Sequence, residues 1–442
     1  MIDQNAAWIA EAAGGELAGG EPDAPGPVRA VIDTGEARAG DLFVGLPGAS
    51  ADGGEYAPQA LEAGAWGALV APAHAERATA ATAGAAPVIV VDDPLAGLQS
   101  LALAWRRELG CKVVGVTGST GKTSTKDILA AILESRWRTH ANLENLNTEI
   151  GLPLTILEAP PDTEAMVLEM AMRGEGQIAE LVAVAEPDVG VIVNVGPVHL
   201  ELLGTVDRVA AAKAELIRDL PPGAACVVPA GEALLEAHLR DDLDTITFGP
   251  GGEVMLLAFD AGTAEIEARE RLIELELPYD EPHNLLNTLA AVGAALALGV
   301  EPAGRVEPRF SSMRGEVLEL PGGVTVVNDC YNANPMSMRA ALQHLAETPA
   351  ERRVAILGTM AELGPGSDAF HHDIGHEAAA LGIDVLVTVG EEAAGYAEGF
   401  EGEMYAAATP EEAGGLLEEI AQAGDRVLIK GSRSVGLERV LA

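Results

Sequence analysis

Lysine is scarce in this sequence. Of 442 residues only Lys112, Lys122, Lys126, Lys213 and Lys430 are lysine, and Lys and Arg together number 27 against 68 Asp and Glu. The formal charge of −41 excludes a protein that holds nucleic acid by a broad basic face. Acidity is spread along the chain, with −11 over residues 1–105, −17 over 106–300 and −13 over 301–442. This is a solvated acidic surface, not a tail. Abundant carboxylates with few lysines predict that added salt stabilises the protein by screening self-repulsion. Equal thermal stability and activity with and without salt would contradict that expectation.

Cysteine is rarer still. Cys111, Cys226 and Cys330 lack the paired spacing of a metal knuckle and the even count of a disulfide framework. Reduced thiols and a cytoplasmic location are expected. No apolar run approaches the roughly 18 residues of a membrane span. The first twenty residues carry acids where a secretory leader carries bases. With 48% hydrophobic and 21% charged residues the chain can bury a core, and its length suits two or three domains.

What is present is a recurrent alternation of short apolar runs with helical stretches. CKVVGV, MVLEM at 166–170 and VGVIVNV at 189–195 read as buried parallel strands, and IAELVAVA and NLLNTLAAVGAALALG as helices between and after them. The centre is therefore a doubly wound α/β domain ending near Gly299. Beyond it VTVVND, RVAILG, VLVTVG and RVLIKG spell a second open α/β sheet. Residues 28–70 read as a smaller α/β module. The divisions fall at 1–105, 106–300 and 301–442.

The strongest local signal is Gly115–Thr123, GVTGSTGKT, between a strand and a helix. Backbone N–H groups of such a turn and the following helix N-terminus cradle phosphate. Val116 stands where the strict phosphate-loop pattern has glycine, so Gly118 serves as the loop glycine. Gly118, Ser119, Thr120, Gly121, Lys122, Thr123 and Ser124 would line the anion site. There Lys122 is a point charge for the phosphates and Thr123 a hydroxyl for Mg²⁺. Glu169 ends the next apolar run and is the natural acidic partner for the metal. Lys213 lies in an alanine-rich helical stretch, where a lysine can become a neutral nucleophile if its environment lowers its pKa. In Asn328–Met338, NDCYNANPMSM, Asn334 suits an N-cap and Pro335 the first helical turn. Asp329, Tyr331 and Asn332 are left over from capping, and Lys430, Ser432 and Arg433 fall just past a strand end, where open sheets bind ligands.

The order and spacing of these segments resemble the Mur ligase family over nearly the whole chain. The carriers are VTGSTGKTST, NLNTEIGLP at 145–153, EMAMRGEGQIAEL at 169–181, NVGPVHLELLG at 194–204, AKAEL at 212–216, HNLLNTLAA at 283–291, NDCYNANPMSM, LGTMAELGPGS at 357–367 and VLIKGSR. The resemblance implies an N-terminal UDP-sugar module, a central ATPase domain and a C-terminal Rossmann-like domain. It implies activation of a peptide carboxylate by ATP, attack of an amine on the acyl phosphate, and release of ADP and phosphate.

Carried over, Lys122, Thr123, Glu169, His199 and Lys213 form the catalytic and metal set, with Lys213 carbamylated. His283, Asn287, Arg314, Asp329, Tyr331 and Asn332 surround the nucleotide. Thr34, Asn145, Asn147, Thr148 and Arg173 face the UDP-muramoyl-peptide, and Lys430 and Ser432 close over the reacting ends. NANP, in place of a DNPR-like signature, points to the branch that adds D-alanyl-D-alanine to UDP-N-acetylmuramoyl-tripeptide, acting as a monomer. The alternatives are a sister ligase adding one amino acid, or a P-loop NTPase without ligase activity. Gly35 stands where the family has arginine in Asp-Ser-Arg, and Gly54 where histidine is common in a DGH triplet.

Overall fold

A computed structural model describes residues 1, 3–143 and 145–442. Among them three sheets follow one another along the chain. The first has the order Glu16–Gly19, Val88–Val90, Gly67–Val70, Asp41–Val44, Arg29–Val31, parallel except for its first strand. The third runs Glu316–Leu320, Val324–Asn328, Asp425–Lys430, Arg352–Gly358, Val385–Val389, Glu403–Ala407, antiparallel only at Glu316–Leu320.

The middle sheet has ten strands. At its heart Lys112–Thr117 lies between Ala165–Glu169 and Val189–Ile192, all parallel and buried along nearly every residue. Their valine and isoleucine content suits strands covered on both faces, because branched side chains pack densely on a pleated surface. Beyond Asp244–Phe248 the sheet turns antiparallel through Val254–Asp260, Thr263–Ala268 and Arg271–Glu276. That extension alternates apolar and charged residues, as one-face burial requires, and it lies outside the expected all-parallel pattern.

Helices weld the first two sheets together. Pro94–Leu109 runs across the division expected at residue 105, and Leu98, Leu101 and Trp105 share a core with Leu42 and Leu69 on one side and Met166, Leu168 and Leu216 on the other. The middle sheet likewise continues past residue 300, to Gly304–Arg305 and the buried Val306. In Val206–Asp219 the buried Glu215 accepts the backbone N–H of Gly176 at 2.6 Å and of Ala179 at 3.0 Å, capping Gln177–Ala185 with a carboxylate at its positive end.

The link to the third sheet is anchored by side chains. Phe310 meets Tyr279 edge to face at 5.4 Å, and Ser311 gives its N–H and its hydroxyl to Asp127, whose other oxygen pairs with buried Lys126 at 2.5 Å. All three cysteines are buried and free. Among the described residues no helix is long and apolar enough to cross a membrane.

Candidate active site

The carboxyl ends of the three central strands open into a cleft of about 1040 Å³ that the C-terminal domain faces from the other side. That is at the upper end of small-molecule sites, which run from roughly 300 to 1,000 Å³. Strand Lys112–Thr117 delivers the loop Gly118–Gly121, and helix Lys122–Glu134 begins directly after it with no side-chain cap, so its first N–H groups face the cleft. Gly121 has φ +74°, and a Cβ there would lie 2.5 Å from the Asn287 amide oxygen. Glycine is the residue that admits both the turn and this approach.

Two amines converge under the loop. Lys122 Nζ and Lys213 Nζ each donate to the Gly118 carbonyl at 3.0 Å, and among the described residues neither has a carboxylate in an ion pair. Desolvation, followed by the neighbouring charge of Lys122, holds the Lys213 amine well below the ordinary lysine pKa; it is 2% exposed. Lys122 is lowered too, first by desolvation, with Arg314 adding and Glu169 opposing. Two neighbouring amines that find no carboxylate partner among the described residues mark a seat for an anion.

Beside them Glu169 is 2% exposed and bears no cation partner. Its Oε2 accepts the Thr123 hydroxyl at 2.6 Å and its Oε1 the Asn147 amide at 2.8 Å. Asn142 brackets the Glu169 backbone from both sides, giving its amide to the carbonyl at 3.1 Å and accepting the N–H at 2.9 Å. Paired hard oxygens next to an anion seat fit a nucleotide with its magnesium. The expected metal quartet is only half assembled. Thr123 and Glu169 touch, whereas Lys213 is spent on Gly118 and His199 on Glu362. Among the described residues no three His, Cys, Asp or Glu side chains form a ready-made metal site.

The C-terminal wall differs from expectation in a useful way. Lys430 is 2% exposed and its amine is consumed by Asp329 Oδ2 at 2.6 Å and the Asn332 carbonyl at 3.1 Å. Ser432, also buried, accepts the Ala361 N–H at 2.9 Å. Both line the cleft and also brace the loops around it, because a buried ammonium needs a carboxylate and Lys430 finds one in the loop it supports. Asn147, expected on the substrate side, likewise orients Glu169. Arg314 stacks over Tyr331 at 4.0 Å, and its buried Nε has no partner. His283, Asn287, Asn145, Thr148 and Arg173 line the cleft. Asn334 caps its helix and Pro335 sits in the first turn, as expected, and Ser337 completes a capping box with Asn334.

Sequence reasoning missed Asn194. Its Oδ1 accepts the N–H groups of Ser119 at 3.1 Å and Thr120 at 2.9 Å, and its amide reaches the Thr120 hydroxyl at 2.8 Å. An amide can bridge a loop this way because it donates and accepts at once. Its place at the end of the VGVIVN run was the available signal.

Thr34 stands apart from the cleft, on the N-terminal module, where Asp33 closes a turn onto the Gly35 N–H at 2.7 Å. Nearby, the absent Gly54 side chain is replaced from elsewhere. A Cβ at Gly54 would lie 2.3 Å from the His74 ring, and His74 Nε2 bonds Asp52 Oδ2 at 2.9 Å. The imidazole enters from helix Pro72–Ala81 instead of from position 54. Gly54→His should therefore overpack the module by about 1–3 kcal/mol. The double variant Gly54→His/His74→Ala should recover most of the lost melting temperature; equal melting of both single and wild-type chains would contradict the exchange.

A phosphate loop with two unpaired amines at the carboxyl end of a parallel sheet defines a nucleotide-binding α/β enzyme of the P-loop type. The description "Mur ligase middle domain" matches residues 116–295 and "Mur ligase, glutamate ligase domain" residues 313–433. The chain belongs to the Mur ligase family. It is 37% identical over 434 residues to the UDP-N-acetylmuramoyl-tripeptide–D-alanyl-D-alanine ligase of Synechocystis sp., covering 93% of this chain and 90% of that one. It is 34% identical to the Bacillus subtilis enzyme of the same name, covering 100% and 98%. Among solved structures it is similar to MurF from Acinetobacter baumannii, at TM-score 0.85 and 28% identity over 99% of this chain and 98% of that one. It is also similar to the Thermotoga maritima MurF ligase in complex with ADP, at TM-score 0.78 and 32% identity over 93% and 96%.

Proposed function

We propose that this chain joins D-alanyl-D-alanine to UDP-N-acetylmuramoyl-tripeptide, consuming ATP and releasing ADP and phosphate, in the cytoplasmic stage of peptidoglycan synthesis. The observation that carries the reading is the convergence of Lys122 and Lys213 on Gly118 beside the Thr123–Glu169 pair, in a cleft with room for more than a nucleotide. We assign UDP-sugar recognition to residues 1–105, nucleotide binding to 106–300 and the incoming dipeptide to 301–442, with one chain as the working unit.

In this reading Lys122 and the loop amides hold the β and γ phosphates. The tripeptide carboxylate attacks the γ-phosphorus, and ADP leaves. The dipeptide amine then attacks the acyl carbon, loses a proton, and phosphate departs. Thr123 and Glu169 would hold magnesium, which would supply charge neutralisation for the phosphates. Asn147 and Asn142 keep Glu169 aimed, and Asn194 keeps the loop in shape. Lys213, its pKa held well below the ordinary value by burial, can add carbon dioxide in its neutral form: the amine nitrogen bonds the carbon, a proton is lost, and the amine becomes a carboxylate-like oxygen donor. Arg314 and Tyr331, with Asp329 and Asn332 braced by Lys430, form the nucleotide wall.

Phosphate release tests the reading. It should require both UDP-muramoyl-tripeptide and D-alanyl-D-alanine. Release indifferent to both would indicate an NTPase instead, and release driven by a single free amino acid a sister ligase.

A further inference from the structure

A carboxylate of the C-terminal domain crosses into the central domain at the edge of the cleft. Glu362 lies in the loop after strand Arg352–Gly358. Its Oε2 bonds Nδ1 of His199, and its Oε1 lies 3.4 Å from Nε of Arg173. The backbones meet there as well. The Glu201 N–H donates to the Glu362 carbonyl at 3.1 Å, and a Cβ on Gly364 would stand 3.1 Å from the Glu201 Cα. His199 and Glu362 both adopt left-handed backbone, with φ of 53° and 63°. Non-glycine residues held there cost on the order of 1–3 kcal/mol and collect at functional sites.

The loop that presents Glu362 is fixed from behind. Ala361 N–H donates to Ser432 Oγ at 2.9 Å, Met360 N–H to buried His371 Nε2 at 3.0 Å, and Ser432 N–H to the Thr359 carbonyl at 2.9 Å. Among the described residues the side chains of His199 and Arg173 have no polar partner other than Glu362, although the Arg173 N–H is held by the Gln177 side chain at 2.7 Å, and the Arg173 side chain is 71% exposed. Both line the cleft.

We propose that Glu362 is a positioning residue: when the C-terminal domain closes on the central one, Glu362 orients the His199 imidazole and the Arg173 guanidinium, so the cleft is organised only in the closed arrangement. Nδ1 of His199 is taken by Glu362, which leaves Nε2 for the cleft. The energetics suit a gate. Exposed ion pairs contribute about 0–1 kcal/mol each, too little to lock two domains and enough to choose a rotamer. The scheme rests on the ligase reading and adds to it a link between domain closure and site geometry.

The test uses full-length protein carrying Glu362→Ala, Glu362→Gln, His199→Ala, or Glu362→Ala with His199→Ala. Partners that orient active-site ligands typically contribute 10–100-fold. Glu362→Ala should therefore lower kcat by about 10–100-fold, with KM for ATP changed less than about threefold. The double variant should be no slower than His199→Ala alone. Nitrogen NMR of the imidazole should show the His199 Nδ1 signal shifting in wild type on adding ADP and UDP-muramoyl-tripeptide, and staying put in Glu362→Ala. Full kcat in Glu362→Ala, additive losses in the double variant, or an unchanged imidazole response would overturn the inference. A wild-type chain that fails to ligate defeats the functional reading instead, so the two failures are distinguishable.

Discussion

Replacing Lys213 by methionine should lower ligation by on the order of 10²–10³-fold, the usual loss when one preorganised charged group leaves a phosphoryl-transfer site, and should at the same time make the protein more stable. The two effects share one cause. Lys213 is 2% exposed, and among the described residues it has no carboxylate partner and donates only to a backbone carbonyl. Its folded pKa lies well below the ordinary lysine value. Between those two values the unfolded chain binds a proton that the folded chain does not, so stability rises with pH across that window. At neutral pH the lysine is therefore a liability of about 1–3 kcal/mol that an apolar side chain removes. Thermal melts of the substrate-free protein should show methionine above wild type at pH 7, with the gap closing as pH approaches the usual lysine range. Lys213→Ala should regain part of its activity when small carboxylates are supplied, as a lost carbamate would. Undiminished rate in either variant would end the role assigned to this amine.

Lys122→Ala should cost a comparable 10²–10³-fold, on the order expected for a group that meets charge as it develops on a phosphate. Here the loss should appear in nucleotide affinity as well, because Lys122 is half-buried at the start of its helix and forms no ion pair with a carboxylate among the described residues. Lys122→Arg should not restore function. A planar fork cannot replace a compact ammonium tucked beneath the Gly118 carbonyl. Titration calorimetry with ADP would register the change, and unchanged ADP affinity in Lys122→Ala would contradict the assignment.

Much of this site was legible in sequence because its parts are local. A strand, a glycine-rich turn and a helix occupy consecutive residues, so GVTGSTGKT declares both its shape and its use. The scarcity of lysine was also informative, though unevenly. Lys122 and Lys213 meet at the Gly118 carbonyl under the phosphate loop, while Lys430 lines the cleft from the C-terminal wall and is paired there with Asp329. Lys126 turned out to be half of a buried ion pair supporting the interdomain linker, and Lys112 pairs with Asp188 on the surface.

What sequence concealed is what depends on distance. Asn194 and Ser119 are 75 residues apart, and Glu362 and His199 are 163 apart. Neither separation leaves a periodic trace. The exchange of position 54 for His74 was hidden for the same reason, since only packing shows that one ring fills the space of another side chain. The antiparallel extension from Val254 to Glu276 escaped because its alternation of apolar and charged residues was overshadowed by the long apolar runs on either side.

The central claim is that this cleft forms an amide between two particular substrates at the expense of ATP. Mass spectrometry of a reaction containing UDP-N-acetylmuramoyl-tripeptide, D-alanyl-D-alanine, ATP and magnesium tests it most directly. The account predicts a muramoyl product heavier by the dipeptide less one water, formed in step with ADP. ADP accumulating with the tripeptide mass unchanged, or a product enlarged by a single amino acid, would contradict it.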